Sequence, residues 1–102
     1  MEDSLAHHKS AKKRIKTDAK RRLRNRSVKS RVKTFIRHYN EAFTVALEDE
    51  KGVDSHKETI QKHLTNVISE YQKATTKGVI HRNTSGRRIG RLQLRFNKHF
   101  AG

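Results

Sequence analysis

The chain has 102 residues, a formal net charge of +15 and a pI near 10.9, which indicates one small domain with a polyanionic partner. Only 31% of the residues are apolar, so the chain can form a modest core but not one along its whole length. The absence of cysteine excludes disulfides and thiolate metal sites, and no apolar run approaches the roughly 18 residues of a transmembrane helix.

The first predicted element is a helix over residues 10–49, preceded by a polar segment, residues 1–9, that we expect to be frayed. That segment has no apolar stretch of a secretory signal, so a cytosolic location is expected by default. Ser10 is a candidate helix cap, and Ser4 or Asp3 could also serve. The second half of the helix carries apolar residues at the spacing of a core-facing helix: Val28, Val32, Phe35, Ile36, Tyr39, Ala42, Phe43, Ala46 and Leu47. The residues before Val28 have only a thin apolar stripe and are predicted to project as an arm.

The second predicted element is a helix over residues 55–77. Gly52 supplies the break after the first helix, and Ser55 with Glu58 has the spacing of a capping box. The inward face is predicted to carry Ile60, Leu64, Val67, Ile68, Tyr71 and Ala74. A short connection places this helix antiparallel to the end of the first one.

The third predicted element is a helix over residues 83–99, which begins after a stop at Gly78. Val79 and Ile80 are predicted to fill the space under the turn. Asn83, Thr84 or Ser85 can cap the helix, and the residues expected to face inward are Ile89, Leu92, Phe96 and Phe100. No segment alternates apolar and polar residues as a strand does, so the sequence predicts an all-α chain.

The charge is concentrated at the two ends of the chain. Residues 1–46 carry +10, residues 47–76 carry −2 and residues 77–102 carry +7. This distribution predicts one solvent-facing element between two elements that contact the partner.

Fourteen Lys or Arg residues lie in the stretch from Lys9 to Arg37, with Asp18 as the one acid among them. On a helix these charges point in all directions, so the stretch is predicted to lie among phosphates on several sides.

Other functions that such a stretch could serve fit less well. Binding to a membrane surface needs a segregated apolar face, and a basic-zipper protein needs heptads after its basic region; neither is present. Folded RNA presents several converging backbones and suits a helix charged on every side. A DNA-binding or general RNA-binding architectural protein remains the alternative.

The residues give no sign of catalysis, and the sequence predicts a protein that is not an enzyme. It contains no nucleophile elbow, P-loop or Gly-rich phosphate loop. His56 and His63 are seven residues apart, too far to chelate one ion, so no metal site is expected. No cofactor is expected either.

Three segments together resemble the bacterial small-subunit ribosomal protein S-twenty family. They read KSAKKRIK (residues 9–16), KRRLRNRSVKSRVKT (20–34) and KGVIHRNTSGRR (77–88), in matching order and spacing. The resemblance implies an all-α three-helix bundle, one domain over residues 1–102, with a very long basic N-terminal helix projecting as an arm. It also implies a structural constituent of the cytoplasmic ribosome that binds 16S-type ribosomal RNA directly and stabilises its 5′ domain during assembly.

Further expectations about partners and site residues follow from the same resemblance. The partner is small-subunit ribosomal RNA, contacted in the 5′ domain and at the lower end of the long helix that runs towards the decoding site. Other small-subunit proteins are contacted only peripherally, and no membrane or small-molecule substrate is involved. The implied RNA-binding residues are Lys9, Lys12, Lys13, Arg14, Lys16, Lys20, Arg21, Arg22, Arg24, Asn25, Arg26, Lys29, Arg31, Lys33, Lys77, His81, Arg82, Asn83, Thr84, Arg87 and Arg88.

Overall fold

A computed structural model describes the backbone of residues 2–100 and the side chains of residues 9–100. It contains α1 (Glu2–Glu48), a one-turn 3₁₀ helix (Val53–His56), α2 (Lys57–Thr76) and α3 (Arg82–Phe100). Residues 2–100 include no strand, and the predicted all-α fold class is confirmed. None of the helices in this part of the chain has the length and apolarity needed to cross a bilayer.

The helix α1 is much longer than the helices that pack on it. Its 47 residues extend about 70 Å at 1.5 Å per residue, whereas the 20 residues of α2 extend about 30 Å. The whole molecule accordingly measures 76 × 22 × 14 Å. The backbone is helical from Glu2, eight residues before the predicted cap Ser10, because no Gly or Pro interrupts the segment.

The first half of α1 projects beyond the bundle, and we call Lys9–Ser27 the arm. Every arm side chain is exposed except Asp18 and Asn25, which are half-buried. Even the apolar residues Ile15 and Leu23 are 68% and 70% exposed. The predicted division of α1 into an arm and a core-facing half is therefore seen in the burial of its side chains.

The core lies between the second half of α1 and α2, and α3 runs along the same half of α1, with its start near Lys33 and its end near Phe43. Its buried apolar residues are Val32, Tyr39, Phe43 and Ala46 from α1, Ile60, Leu64, Val67, Tyr71 and Ala74 from α2, and Ile80 from the following turn. The predicted core residues Phe35, Ile68 and Phe96 are half-buried against this cluster. The prediction for Leu47 is wrong, because Ala46 faces the core and Leu47, about 100° further round the helix, is exposed.

The connection between α1 and α2 differs from the predicted capping box. Ser55 lies inside the 3₁₀ helix, and its hydroxyl donates to the carbonyl of Gly52 at 3.0 Å instead of capping α2. Gly52 has φ +91°, as a glycine after a helix can. Asp49 accepts from the Lys51 amide at 3.0 Å and lies 2.6 Å from His56 Nε2. These two contacts hold the pKa of the Asp49 carboxyl below its ordinary value, and the contact with His56 has the larger effect.

The connection between α2 and α3 agrees with the prediction at its glycine. Gly78 has φ +74°, and the amides of Val79 and Ile80 both donate to the carbonyl of Ala74, at 2.9 and 3.4 Å. Ile80 is buried and Val79 is half-buried, so both lie under the turn as predicted. This turn brings the start of α3 back against the middle of α1.

Two polar contacts fix α3 on α1. The Tyr39 hydroxyl donates to the carbonyl of Leu92 at 2.8 Å, and burial raises the pKa of Tyr39 to about 12, so the donor stays protonated. Arg95 donates to the Asn40 side chain at 2.7 Å, and its guanidinium lies 4.3 Å from the centre of the Phe43 ring. These contacts give α3 a defined position although most of its apolar residues are only half-buried.

Candidate nucleic-acid interface

The basic stretch of α1 is almost devoid of internal charge partners. Of its fourteen Lys and Arg residues, only Arg31 and Arg37 form ion pairs with acids among the described side chains, with Glu70 and Glu41 respectively. Asp18 makes no ion pair within that part of the chain. Like charges four residues apart repel by about 0.2–0.5 kcal/mol per pair, so a surrounding polyanion would stabilise the arm.

Arg31 marks the point where the arm meets the bundle. Its Nε donates to Glu70 Oε2 at 2.9 Å, and its guanidinium lies 5.6 Å from the centre of the Phe35 ring. Glu70 is only 6% exposed and has Lys73 as a second partner at 3.6 Å. Because a guanidinium has five N–H donors and Nε uses one, Arg31 keeps donors for a phosphate while Glu70 fixes its orientation.

The start of α3 is capped by a histidine and not by any of the three predicted residues. Asn83, Thr84 and Ser85 all lie inside the first turn of α3, and the Asn83 amide donates to His81 Nδ1 at 3.1 Å. The Ser85 hydroxyl is instead paired with the Thr75 hydroxyl at 2.7 Å, which ties α3 to α2. Since Nδ1 accepts a hydrogen bond, a neutral His81 ring carries its proton on Nε2 and presents a donor to solvent.

A cleft separates α1 from the α2–α3 turn and the first turns of α3. Its volume is about 390 Å³, and its lining residues are Lys29, Val32, Lys33, Ile36, Tyr71, Val79, Ile80, His81, Thr84 and Arg88. We call it the α1–α3 cleft. No acid is among these residues, and five of them (Lys29, Lys33, His81, Thr84 and Arg88) are RNA-binding residues implied by the family resemblance. The fold thus brings the second and third sequence segments together although they are about 50 residues apart in the chain.

A second, more open groove continues from the cleft along α1 towards the arm. Its lining residues are Arg22, Asn25, Arg26, Lys29, Ser30 and Lys33, so Lys29 and Lys33 belong to both surfaces. The two surfaces together form a continuous cationic track from the arm to the start of α3.

The remaining implied residues lie outside this track. Arg82 lines a separate groove between α2 and α3, and Lys77, Asn83 and Arg87 are exposed near the α2–α3 turn. The bases from Lys9 to Arg21 and Arg24 lie elsewhere on the arm, and Arg31 lies where the arm meets the bundle. RNA contact stays a prediction for every implied residue, inside and outside the track.

Comparison with known sequences shows to which family the chain belongs. The profile of the family described as Ribosomal protein S20 matches residues 6–97. The chain belongs to the ribosomal protein S20 family. The predicted resemblance is therefore confirmed, and this is a family of structural ribosomal proteins, not of enzymes.

Relatives of the S20 family match nearly the whole chain. The small ribosomal subunit protein bS20 of Caldanaerobacter subterraneus subsp. tengcongensis is 46% identical over 93% of this chain and 82% of its own length. The bS20 proteins of Pelotomaculum thermopropionicum and Geobacter metallireducens are 43% and 40% identical, over 88% and 86% of this chain and 92% and 91% of their own lengths. The comparison with solved structures gives no significant match.

Among the described residues of this S20 chain, no group of three or more His, Asp or Glu residues is arranged to hold a metal ion. The apolar floor of the cleft is formed by Val32, Tyr71 and Ile80. The sequence analysis did not identify these three residues as part of a candidate site. Periodicity assigns these residues to the core and carries no signal that they also face an opening between distant segments.

Proposed function

We propose that this chain is a structural component of the small ribosomal subunit in the cytoplasm and binds small-subunit ribosomal RNA through phosphate contacts. The observation that carries the proposal is the continuous cationic track from the arm through Lys29 and Lys33 to His81 and Arg88, without an acid among its lining residues. Relatives over 40% identical are named small ribosomal subunit proteins.

The finer proposal is that the chain stabilises the 5′ domain of this RNA during assembly. The arm would lie between RNA segments and cancel their mutual repulsion, since it presents cations in every direction. The bundle would hold the track at a fixed angle. The second RNA contact would be the lower end of the long RNA helix that runs towards the decoding site. Other small-subunit proteins would touch the chain only at its periphery.

The salt dependence of binding tests the phosphate contacts. Each phosphate neutralised adds a slope of about −0.9 in a double-logarithmic plot of affinity against salt concentration for duplex-like nucleic acid. We expect a slope steeper than about −3 for binding to a transcript of the 5′ domain, and weaker binding to a transcript of the 3′ domains. A shallower slope, or equal affinity for the two transcripts, would contradict the proposal.

A charge-matched pair of variants locates the contacts. Alanine at Lys12, Lys13 and Arg14 removes three charges from the arm, whereas alanine at Lys51, Lys57 and Lys62 removes three from the solvent-facing side of the bundle. The arm variant should reduce the slope by about 2–3, and the second variant should leave it nearly unchanged. Equal reductions would show that only net charge matters.

Sedimentation separates this function from that of a general architectural protein. A subunit component should be stoichiometric in small subunits washed at high salt, whereas a general nucleic-acid binder should be distributed over other RNAs or DNA. Recovery mainly outside small subunits would refute the proposed function.

A further inference from the structure

The α1–α3 cleft has a floor that phosphate groups alone do not explain. Val32, Tyr71 and Ile80 form it, and all three are buried, with relative exposures of 3%, 1% and 8%. The half-buried Ile36 and Val79 form apolar walls. A phosphate remains hydrated or contacts cations and gains nothing from such walls, whereas a flat aromatic ring gains from burial against them.

The rim of the cleft is polar and cationic. Lys29 and Lys33 lie on its α1 side, His81 and Arg88 lie on its α3 side, and all four are exposed. The half-buried Thr84 adds a hydroxyl, and the capping geometry of His81 leaves its Nε2 proton free to donate. The volume of about 390 Å³ falls within the range of about 300–1,000 Å³ typical of small-ligand sites.

We propose that the α1–α3 cleft receives a single unpaired base of the bound RNA, with the ring against the apolar floor and the adjoining phosphates at the rim. The proposal rests on the proposed function and adds a nucleotide site to it. The charge at the rim selects an anionic partner and repels a second copy of this chain at net charge +15. The groove that continues from Lys29 and Lys33 to the arm gives the RNA backbone a path into the cleft.

The shape of the cleft distinguishes an unpaired base from a paired one. Bases in an A-form duplex stay stacked and cannot reach a floor below the surface, whereas bases in loops and bulges can turn outwards and stack on protein groups. His81 Nε2 and the Thr84 hydroxyl are placed to hydrogen-bond the edge of such a base, and Lys29, Lys33 and Arg88 to contact its phosphates.

Site-directed crosslinking tests the occupant directly, because the chain contains no cysteine. Val79→Cys places a single thiol on the cleft wall, and Val45→Cys places one at a 59% exposed position in a different groove. Each variant is labelled with a photoreactive group and bound to a full small-subunit ribosomal RNA transcript. We expect Val79→Cys to crosslink to one unpaired nucleotide and Val45→Cys not to crosslink there. Crosslinks from Val79→Cys only to paired nucleotides, or none while the protein stays bound, would overturn the proposal.

Filling the cleft provides a second measurement. Val79→Trp should weaken binding to the same transcript about 10-fold or more, the order expected for loss of one stacked base, and should leave the salt slope unchanged. Its affinity for a fully paired RNA duplex should not change, and Val45→Trp should change neither affinity. A loss below about 2-fold with an intact circular dichroism spectrum would overturn the proposal. If Val79→Trp does not fold, the crosslinking result decides.

The wild-type control separates this inference from the function on which it rests. Wild-type protein that fails to bind the transcript refutes the proposed function itself. Wild-type protein that binds with a steep salt slope, while the cleft crosslinks to no unpaired nucleotide, refutes the base-binding cleft alone.

Discussion

Truncation of Phe43 to alanine should destabilise the bundle far more than truncation of any arm residue. Phe43 is completely buried, and its ring lies 5.1 Å from that of Tyr39, 5.3 Å from that of His99 and 6.1 Å from that of Phe100. The Arg95 guanidinium stacks on the same ring at 4.3 Å. The substitution therefore opens a cavity where α1 meets α3 and also removes a cation–π contact.

The expected cost is a large fraction of the total stability. A buried Phe→Ala substitution costs about 3–5 kcal/mol, and a small domain has about 5–15 kcal/mol in all. For a domain of this size each 1 kcal/mol lowers the melting temperature by about 4–8 °C, so a decrease of more than about 10 °C is expected. Arg22→Ala, an exposed arm variant, should change stability by no more than about 0.5 kcal/mol.

Tyrosine fluorescence during urea or thermal unfolding measures this difference without interference from the arm. The chain has no Trp, and its two Tyr residues, Tyr39 and Tyr71, are both buried in the core. Similar transition midpoints for Phe43→Ala and Arg22→Ala would refute the division of α1 into a core half and an arm half.

Three further predictions concern the arm, the first connection and α3. In the free protein, amide exchange should be near random in Lys9–Leu23 and slow in Val32–Leu47, because helices owe most of their stability to packing; bound ribosomal RNA should protect the first segment. Strong protection of that segment without RNA would contradict coupled ordering. The pKa of Asp49 is lowered mainly by its contact with His56, so its stabilising contribution is present above about pH 4 and is lost as the pH falls through the lowered pKa. The stability difference between wild type and Asp49→Asn should thus vanish in acid, and a pH-independent difference would contradict the assignment. Gly86→Ala should raise the melting temperature, since an added Cβ meets nothing within 4 Å and Ala is about 1 kcal/mol more favourable than Gly in a helix; a decrease would contradict this expectation.

The sequence was sufficient to predict the helices and the arm because those features depend on neighbouring residues. The period of apolar residues after Val28 predicts a core-facing helix, and the run of like charges before it predicts an exposed one. Gly52 and Gly78 predict the two turns because both positions need a positive φ. The implied RNA-binding residues come from the family resemblance; all of them are exposed except Asn25 and Thr84, which are half-buried, and their role in binding stays a prediction.

Only the tertiary structure decides which groups meet across elements. Ser55 fails as a cap because the chain forms a 3₁₀ turn there, and His81 replaces three candidates because its ring reaches the amide of Asn83. The pairing of Arg31 with the buried Glu70 joins residues 39 positions apart. The α1–α3 cleft likewise exists only when Lys33, Tyr71 and Arg88 are packed together, since local periodicity fixes the face of a helix but not its neighbour on another helix.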